Sequence, residues 1–196
     1  MLRIHTLTLG LYQTNTYIVS QEGSDRCVII DPGYEPATIL NRVALLGLQV
    51  DAILLTHGHF DHLGAVRGIA SDSDCKVYVD EKELSMPPTM TAGPIYYTDL
   101  YPADGQIQAA GLQVRILRTP GHTPGSVCLL IEDAMFSGDT LFAGSMGRCD
   151  FPGSSIFDMR KSLKKLYNLT GDYRVFPGHA ESSTLEHERK TNPYLR

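Results

Sequence analysis

Short apolar stretches separated by turn-forming residues dominate the first part of the chain. Polar and apolar side chains alternate over residues 3–9, residues 12–20 are rich in Tyr, Thr, Ile and Val, and residues 27–30 form a continuous apolar run. Alternation predicts a strand with one buried face, whereas a short continuous run predicts a strand buried on both faces. The run at 27–30 ends in the Asp-Pro-Gly turn of residues 31–33, and the apolar segment 52–55 predicts another buried strand.

Helical spacing appears further along the chain. Apolar residues recur three and four positions apart over residues 39–46, and a second helix is predicted to begin within residues 64–70. A spacing that resembles a capping box begins at Ser155 and predicts a helix that runs to Leu166. Further strands are predicted over residues 76–80, 112–117, 126–131, 134–136 and 173–176. This mixture, without a visible linker, predicts one α/β domain over residues 1–196.

Residues 81–105 break this pattern. They contain proline turns and the pair Tyr96–Tyr97, but neither a helical nor an alternating period. The segment is therefore predicted to be an irregular loop rather than a core element. Loops of this length are often lids over a functional site, and a plain surface loop is the equal alternative.

The composition is that of a soluble globular domain. Of 196 residues, 42% are hydrophobic and 20% are charged, and the formal net charge is −5 at pH 7. This length can bury a sizeable core without disulfide bridges. A negative charge argues against nucleic acid as a partner, because proteins that bind it normally present a basic face. The apolar run at 127–131 is far too short to span a bilayer, so no membrane partner is expected.

The four cysteines are scattered and form no CxxC pair. Cys27, Cys75 and Cys128 lie in or beside apolar runs and are expected to be buried free thiols, whereas Cys149 lies in a polar loop and could be exposed. The N-terminus alternates polar and apolar residues and lacks the continuous apolar core of a secretion signal. These observations predict a location in the reducing cytoplasm.

The most informative segment is residues 56–62, which read THGHFDH and follow a strand-like apolar run. Imidazole and carboxylate groups are costly to bury unless they are paired or bind a metal. Histidines so close together would repel one another when protonated, whereas a cation takes neutral imidazole and ionised carboxylate as ligands. The segment therefore predicts a metal site rather than a solvated polar loop. Its candidate ligands are His57, His59, Asp61 and His62.

Three further predicted strands end in a glycine turn that presents a side chain of ligand type. These turns hold His122, Asp139 and His179. Glycine permits the tight backbone that aims such a side chain, and functional sites cluster at the carboxyl ends of strands in α/β sheets. Five of the seven histidines fall in these four loops, so we expect the loops to converge on one metal centre.

In this order and at these approximate separations, the motifs THGHFDH, GHTPGS, SGDTLF and PGH resemble those of the metallo-β-lactamase superfamily. They are most similar to its short glyoxalase II-like (hydroxyacylglutathione hydrolase-like) members, over nearly the whole chain. The resemblance implies an αββα sandwich, in which two β-sheets pack face to face with helices outside and the metals lie in a groove at one edge. Larger glyoxalase II enzymes carry a C-terminal helical domain. Too few residues follow His179 for such a domain, so none is expected.

The resemblance also implies a ligand set for two divalent metal ions. It assigns His57, His59 and His122 to the first ion. It assigns Asp61, His62 and His179 to the second ion, and Asp139 bridges the two. All seven positions hold the expected residue type. The β-lactamases themselves usually lack the bridging aspartate, so Asp139 points away from that activity. Zinc is our first choice of metal, and iron or manganese suits the same imidazole and carboxylate ligands.

Such a site resembles a hydrolase centre. Two divalent cations about 3.5–4 Å apart can share one water, lower its pKa towards neutrality and polarise a substrate carbonyl. The resemblance implies hydrolysis of a thioester of the S-D-lactoylglutathione type by a metal-bridging hydroxide, with Asp61 as a catalytic residue that orients it. A thiolate leaves readily, so little further acid catalysis is needed.

The sequence says less about the substrate. Arg148 occupies a place where glyoxalase II enzymes often carry a basic residue near glutathione, and a structural salt bridge is the equal alternative. Tyr96, Tyr97 and Phe151 could line the pocket or simply pack. Without the C-terminal domain, the thiol could be one other than glutathione.

Other functions stay open as well. A persulfide dioxygenase-like enzyme with a single iron, a lactonase and another ester hydrolase would each use much of the same motif set. A nuclease is disfavoured because no basic patch is visible. A metal-stabilised binding module would be favoured by a missing ligand, and none is missing.

Overall fold

The computed structural model describes residues 1–195 and contains two six-stranded β-sheets. The first sheet is built from six strands: β1 (Leu2–Leu9), β2 (Thr14–Gln21), β3 (Arg26–Ile30), β4 (Gln49–Leu54), β5 (Lys76–Val79) and β6 (Asp99–Leu100). They lie side by side in chain order. The pairs formed by β1, β2 and β3 are antiparallel, and β3 to β6 run parallel. The loops that follow β3, β4 and β5 therefore leave the sheet at the same edge.

The second half of the chain supplies the other sheet and a small hairpin. Its strands are β7 (Gln106–Ala109), β8 (Leu112–Arg118), β9 (Val127–Ile131), β10 (Ala134–Gly138), β11 (Leu141–Phe142), β12 (Ser145–Met146), β13 (Arg174–Pro177) and β14 (Ser183–Thr184). The sheet has the order β14-β13-β10-β9-β8-β7, and β11 pairs with β12 alone. Only β10 and β13 are parallel neighbours in this sheet, so the loops that follow them share one edge.

The described residues contain six α-helices, of which the longer ones cover the outer faces of the sheets. They are α1 (Pro36–Leu45), α2 (Phe60–Leu63), α3 (Val66–Ser73), α4 (Pro88–Thr91), α5 (Ile156–Tyr167) and α6 (Leu185–Thr191). The predicted cap of α5 is confirmed, because the Ser155 hydroxyl accepts a hydrogen bond from the backbone N–H of Asp158. Within residues 1–195, no helix combines the length and apolar character needed to cross a membrane.

Three apolar clusters fill the spaces between these layers. In β3, Val28 and Ile30 belong to the cluster between the sheets, whereas Cys27 and Ile29 belong to the cluster beneath α1 and α3. Strand β9 alternates in the same way between the sheet interface and α5. Strands buried on both faces explain the continuous apolar runs in the sequence. The expected single-domain αββα sandwich is confirmed.

The prediction of an irregular loop over residues 81–105 is wrong in part, because three short regular elements interrupt the irregular stretches. The segment begins with a 3₁₀ helix (Glu81–Ser85), continues through α4 and ends in β6, which pairs in parallel with β5. Met86 and Tyr101 are buried, and the Tyr101 hydroxyl donates to the carbonyl of Leu55 at 3.1 Å. These contacts order the segment through distant partners, which no local period reveals.

The cysteines follow the prediction only in part. Cys27, Cys75 and Cys128 are buried free thiols, as expected, and burial raises the pKa of each of these three thiols. Cys149 is also a free thiol but is half-buried rather than exposed.

Candidate metal centre

The four predicted ligand loops converge at one edge of the sandwich. Residues 56–62 follow β4, the His122 loop joins β8 to β9, and Asp139 and His179 follow β10 and β13. The structure brings together all the predicted ligands: His57, His59, Asp61, His62, His122, Asp139 and His179. Their proximity is observed, whereas their role as ligands stays a prediction.

Among the described residues, the ligand-type atoms form three groups of three, and one of them joins Asp31 to His57 and His62. The other two consist of predicted ligands alone. One group comprises His57, His59 and His122, and in each group the ligand atoms lie within 4.8 Å of one another. The other comprises Asp61, His62 and His179. Zinc binds nitrogen and oxygen ligands at about 2.0–2.2 Å. Each group could therefore share one cation after small side-chain movements.

Asp139 lies between the two groups. Its Oδ2 is 3.4 Å from Nε2 of His122, and its Oδ1 is 3.6 Å from Nε2 of His62. Its Oδ2 is also 3.6 Å from Nε2 of His179. One carboxylate thus faces both sets of imidazoles.

A buried hydrogen-bond network starts at Asp31 and fixes two of the histidines. The Asp31 carboxylate accepts from the backbone N–H of Thr56 at 2.8 Å, from the Thr56 hydroxyl at 2.6 Å and from Nδ1 of His62 at 3.0 Å. Because the Thr56 hydroxyl donates to Asp31, it accepts from Nδ1 of His57, 3.1 Å away. Nδ1 therefore carries a proton in both rings, so Nε2 is the atom that would bind a cation.

Backbone carbonyls fix two further histidines in the same way. Nδ1 of His122 donates to the carbonyl of Arg148 at 2.8 Å, and Nδ1 of His179 donates to the carbonyl of Tyr12 at 3.0 Å. A carbonyl can only accept, so Nδ1 carries a proton in both rings. His59 differs, because its Nδ1 lies 2.8 Å from Nε2 of His122.

Several buried polar atoms at this edge lack a partner in the protein. Among the described residues, these atoms are Nε2 of His57, Nε2 of His59 and Oδ1 of Asp139. Unpaired buried polar atoms are costly, and their clustering among imidazoles and carboxylates is what a divalent cation would relieve. The donor set therefore fits metal ions.

Burial favours neutral imidazoles in the first group. It lowers the pKa of His57 well below its usual range, and the nearby charge of His62 adds to the effect. Burial and the charge of His122 lower the pKa of His59 to about 4. Neutral imidazole is the form that binds a metal.

The second group holds a different charge balance. Burial acts to lower the pKa of His62, but the carboxylates of Asp31 and Asp139 outweigh it and raise that pKa to about 9. Burial acts to raise the pKa of Asp61, but the hydrogen bond from His179 and the charges of His62 and His179 hold it well below its usual range. The carboxylates thus favour a positive charge among them, and a bound cation could supply it.

Two glycines allow the backbone to pass close to these side chains. Gly138 has φ of +48°, and a Cβ there would lie 2.3 Å from the Thr56 hydroxyl oxygen. A Cβ on Gly178 would lie 2.3 Å from Oδ1 of Asp139. Any larger residue would displace the network or the candidate bridge.

Sequence reasoning missed two residues of this region. Asp31 was noticed as part of a turn, but its position directly after a buried strand was the signal that it belongs to the site. Glu83 gave no such signal, and it is buried against both histidine loops.

Arg148 lies at the rim of the site. Its guanidinium is 4.3 Å above the ring of Phe151 and makes hydrogen bonds of 2.9 and 2.8 Å to the two carboxylate oxygens of Asp150. The Phe151 ring packs edge-on against the rings of His59 and His122. Phe151 thus borders the candidate ligands, which agrees with the alternative that it lines the pocket.

The two tyrosines considered with Phe151 lie elsewhere in the 81–105 segment. Tyr96 packs beneath the guanidinium of Arg67 in α3, and Tyr97 is exposed. Neither tyrosine contacts a candidate ligand in the interactions described, which favours a packing role for Tyr96.

Comparison with known proteins agrees with this geometry. The family model of the metallo-β-lactamase superfamily matches residues 9–179. The probable metallo-hydrolase YqgX of Bacillus subtilis is 33% identical and aligns over 96% of this chain and 95% of its own. The probable polyketide biosynthesis zinc-dependent hydrolase BaeB of Bacillus velezensis is 31% identical, over 95% of this chain and 83% of its own.

Solved structures show the same similarity. The B3 metallo-β-lactamase BLEG-1 superposes with a TM-score of 0.88 at 32% identity, covering 100% of this chain and 99% of its own. TTHA1623, solved in a di-iron-bound form, superposes with a TM-score of 0.82 at 37% identity, covering 97% and 99%. The chain therefore belongs to the metallo-β-lactamase superfamily and is a protein of the metallo-hydrolase type.

Proposed function

We propose that this chain is a dinuclear metal-dependent hydrolase that cleaves a small-molecule thioester of the S-D-lactoylglutathione type. The observation that carries the proposal is the position of Asp139, whose two oxygens lie 3.4 Å from Nε2 of His122 and 3.6 Å from Nε2 of His62. A carboxylate that faces both ligand groups is what a two-metal site requires.

Zinc is our first choice for both ions, with iron or manganese as alternatives. The name of BaeB describes it as zinc-dependent, and TTHA1623 was solved with two irons, which supports zinc and iron as candidates. When bound, such ions would lower the pKa of a shared water towards neutrality and polarise a substrate carbonyl.

The residues of the chain hold protons and orient ligands for this reaction. Nδ1 of His62 donates to the Asp31 carboxylate, which directs Nε2 of the same ring towards the position that a metal would occupy. Asp61, whose Oδ2 lies 3.4 Å from the Thr14 hydroxyl and 3.2 Å from Nε2 of His179, is proposed to orient the attacking water as well as to bind a metal. The carbonyl–sulfur bond breaks, water supplies the new oxygen and the hydrogen on sulfur, and a carboxylate, a thiol and one proton are released.

The experiment that tests the function is metal analysis combined with a substrate panel. The panel contains S-D-lactoylglutathione, a lactone, a β-lactam and glutathione persulfide with an oxygen electrode. We expect two metals per chain and release of free thiol from the thioester. Asp61→Ala should remove most of this activity, whereas the exposed Asp72→Ala should retain it.

Each other outcome assigns a different function. Lactone hydrolysis without thioester hydrolysis would refute the thioester proposal and leave a metallohydrolase. Oxygen consumption with the persulfide and one iron per chain would indicate a persulfide dioxygenase-like enzyme. The β-lactam belongs in the panel because BLEG-1 is named a B3 metallo-β-lactamase, although the bridging position of Asp139 points away from that activity.

Arg148 is the proposed substrate contact. If its guanidinium binds an anionic group of the substrate, Arg148→Gln should raise KM with little change in kcat. Asp150 competes for the same guanidinium, so Asp150→Asn should lower KM. Unchanged KM in both variants would show that the pair serves only to support Phe151.

A further inference from the structure

Glu83 is a buried carboxylate that the proposed reaction does not use. It lies on the 3₁₀ helix that follows β5, and only 1% of it is exposed. Its neighbour Glu81 on the same helix is exposed. Charged side chains are almost never fully buried unless they are paired or hydrogen-bonded, so the partners of Glu83 indicate its role.

The two carboxylate oxygens of Glu83 bind two separate loops. Oε2 accepts from the backbone N–H of Gly58 at 2.6 Å, and Oε1 accepts from the backbone N–H of Gly125 at 2.6 Å. Hydrogen bonds to an ionised acceptor are short and roughly twice as strong as neutral ones.

Both contacts are close, and at Gly58 the side chain of Ile95 is also near. A Cβ on Gly58 would lie 2.8 Å from Oε2 of Glu83, and a Cβ on Gly125 would lie 2.8 Å from Oε1. The glycines of the two histidine motifs thus fit the presence of this carboxylate.

The two loops come from different sheets and together carry the first ligand group. Gly58 lies between His57 and His59 after β4 of the first sheet, and Gly125 follows His122 before β9 of the second sheet. A backbone hydrogen bond of 2.9 Å from Val127 to Thr56 links the same loops nearby. The Glu83 carboxylate adds two bonds directly at the ligand-bearing turns.

We propose that Glu83 is a positioning residue for the first metal site. Its carboxylate holds the two loops at the separation at which His57, His59 and His122 share one cation. The inference rests on the two-metal site of the proposed function but not on its substrate. The second group is oriented by Asp31 and by the carbonyl of Tyr12 instead.

The test compares Glu83→Gln with Glu81→Gln in the full chain. Glutamine keeps the shape of glutamate but turns an amide NH₂ towards one of the two backbone N–H donors. Zinc is titrated into the metal-free protein against a chromophoric chelator. Glu83→Gln should weaken one of the two zinc equivalents about 10- to 100-fold, the range typical of groups that orient metal ligands. Glu81→Gln should leave both equivalents unchanged.

Two spectroscopic measurements test whether Glu83 acts through the two glycine amides on the first ligand group. The amide proton signals of Gly58 and Gly125 should move upfield in Glu83→Gln, because a charged acceptor is lost. Histidine ¹⁵N shifts should show that zinc leaves the rings of His57, His59 and His122 first. Thermal unfolding of the metal-free variants measures any general loss of stability.

Equal weakening of both zinc sites would overturn the proposal and leave Glu83 a merely structural role. Unchanged zinc affinity despite shifted glycine amides would overturn it as well. If Glu83→Gln does not fold, Glu83→Asp replaces it, because the shorter side chain can reach only one amide and should weaken the same zinc equivalent. If the wild-type protein binds two zinc ions but hydrolyses no thioester, the proposed substrate is refuted. The inference about Glu83 is unaffected by that result.

Discussion

Replacing Asp31 by asparagine tests whether the fold sets the protonation of the ligand imidazoles. Asp31 has φ of +50°, a conformation that asparagine tolerates well, so the change alters side-chain chemistry with little backbone strain. Oδ1 of Asp31 accepts from the backbone N–H of Thr56. The carbonyl oxygen of asparagine should keep that bond, which turns its NH₂ group towards the Thr56 hydroxyl and Nδ1 of His62.

The Thr56 hydroxyl can rotate and accept from the new NH₂ group, but the Nδ1–H of His62 cannot. The variant either keeps two donors face to face or moves the His62 proton to Nε2, where it blocks the lone pair predicted to bind metal. Loss of a hydrogen bond to a charged group costs about 1.5–3 kcal/mol. Since about 1.4 kcal/mol is a factor of ten, the affinity of the Asp61–His62–His179 group for zinc should fall about 10- to 100-fold.

The assay is a zinc competition titration of Asp31→Asn beside Thr56→Val. The valine variant removes the hydroxyl that orients His57 but leaves the bond between Asp31 and His62. It should weaken the first metal group, whereas Asp31→Asn should weaken the second more strongly. Wild-type affinity at both sites in Asp31→Asn would refute the reasoning, as would a larger effect at the first group.

Further predictions concern the metals, the glycine turns and the core. Chelation should abolish hydrolysis, and added zinc, iron or manganese should restore it; activity that persists in metal-free protein would contradict the site. Gly138→Ala combines a positive φ with a Cβ 2.3 Å from the Thr56 hydroxyl oxygen, so urea unfolding should show a loss of about 1–3 kcal/mol, whereas the open Gly23 offers a control without a clash. Phe136→Ala empties a fully buried position between the sheets and should cost about 3–5 kcal/mol of unfolding free energy. Ser155→Ala should cost about 1 kcal/mol by removing the cap of α5, and an unchanged melting temperature would exclude that role.

Much of the candidate site could be predicted because its signals are local. His122 and Asp139 each stand beside the glycine that turns the chain, directly after an apolar strand. Parallel strands place such loops at one edge of a sheet, so a pattern of strands and turns suffices to predict that they meet. Several strands, among them β3, β4 and β9, were predicted because each is a short apolar run. The short strands β6, β7, β11, β12 and β14 were not predicted.

The remaining features depend on contacts between distant parts of the chain. Glu83 accepts hydrogen bonds from backbone N–H groups 25 and 42 residues away. No spacing in the sequence predicts such bonds. Tyr101 orders the end of the 81–105 segment through Leu55, 46 residues earlier. Helix α6 was also missed, because seven residues give too short a period to recognise.

The placement of ligands on both sheets has a consequence for how the protein comes apart. His62 and His179 lie 117 residues apart in the chain, yet their Nε2 atoms are 3.4 Å apart across the seam between the sheets. Ions shared across that seam would link the two sheets reversibly and would stabilise the folded state by binding to it. Loss of metal would then loosen the sandwich along this seam first, while its opposite edge stays closed. In a cell short of metal, the metal-free protein would open locally at this edge. Proteases would then degrade metal-free protein faster than metal-bound protein.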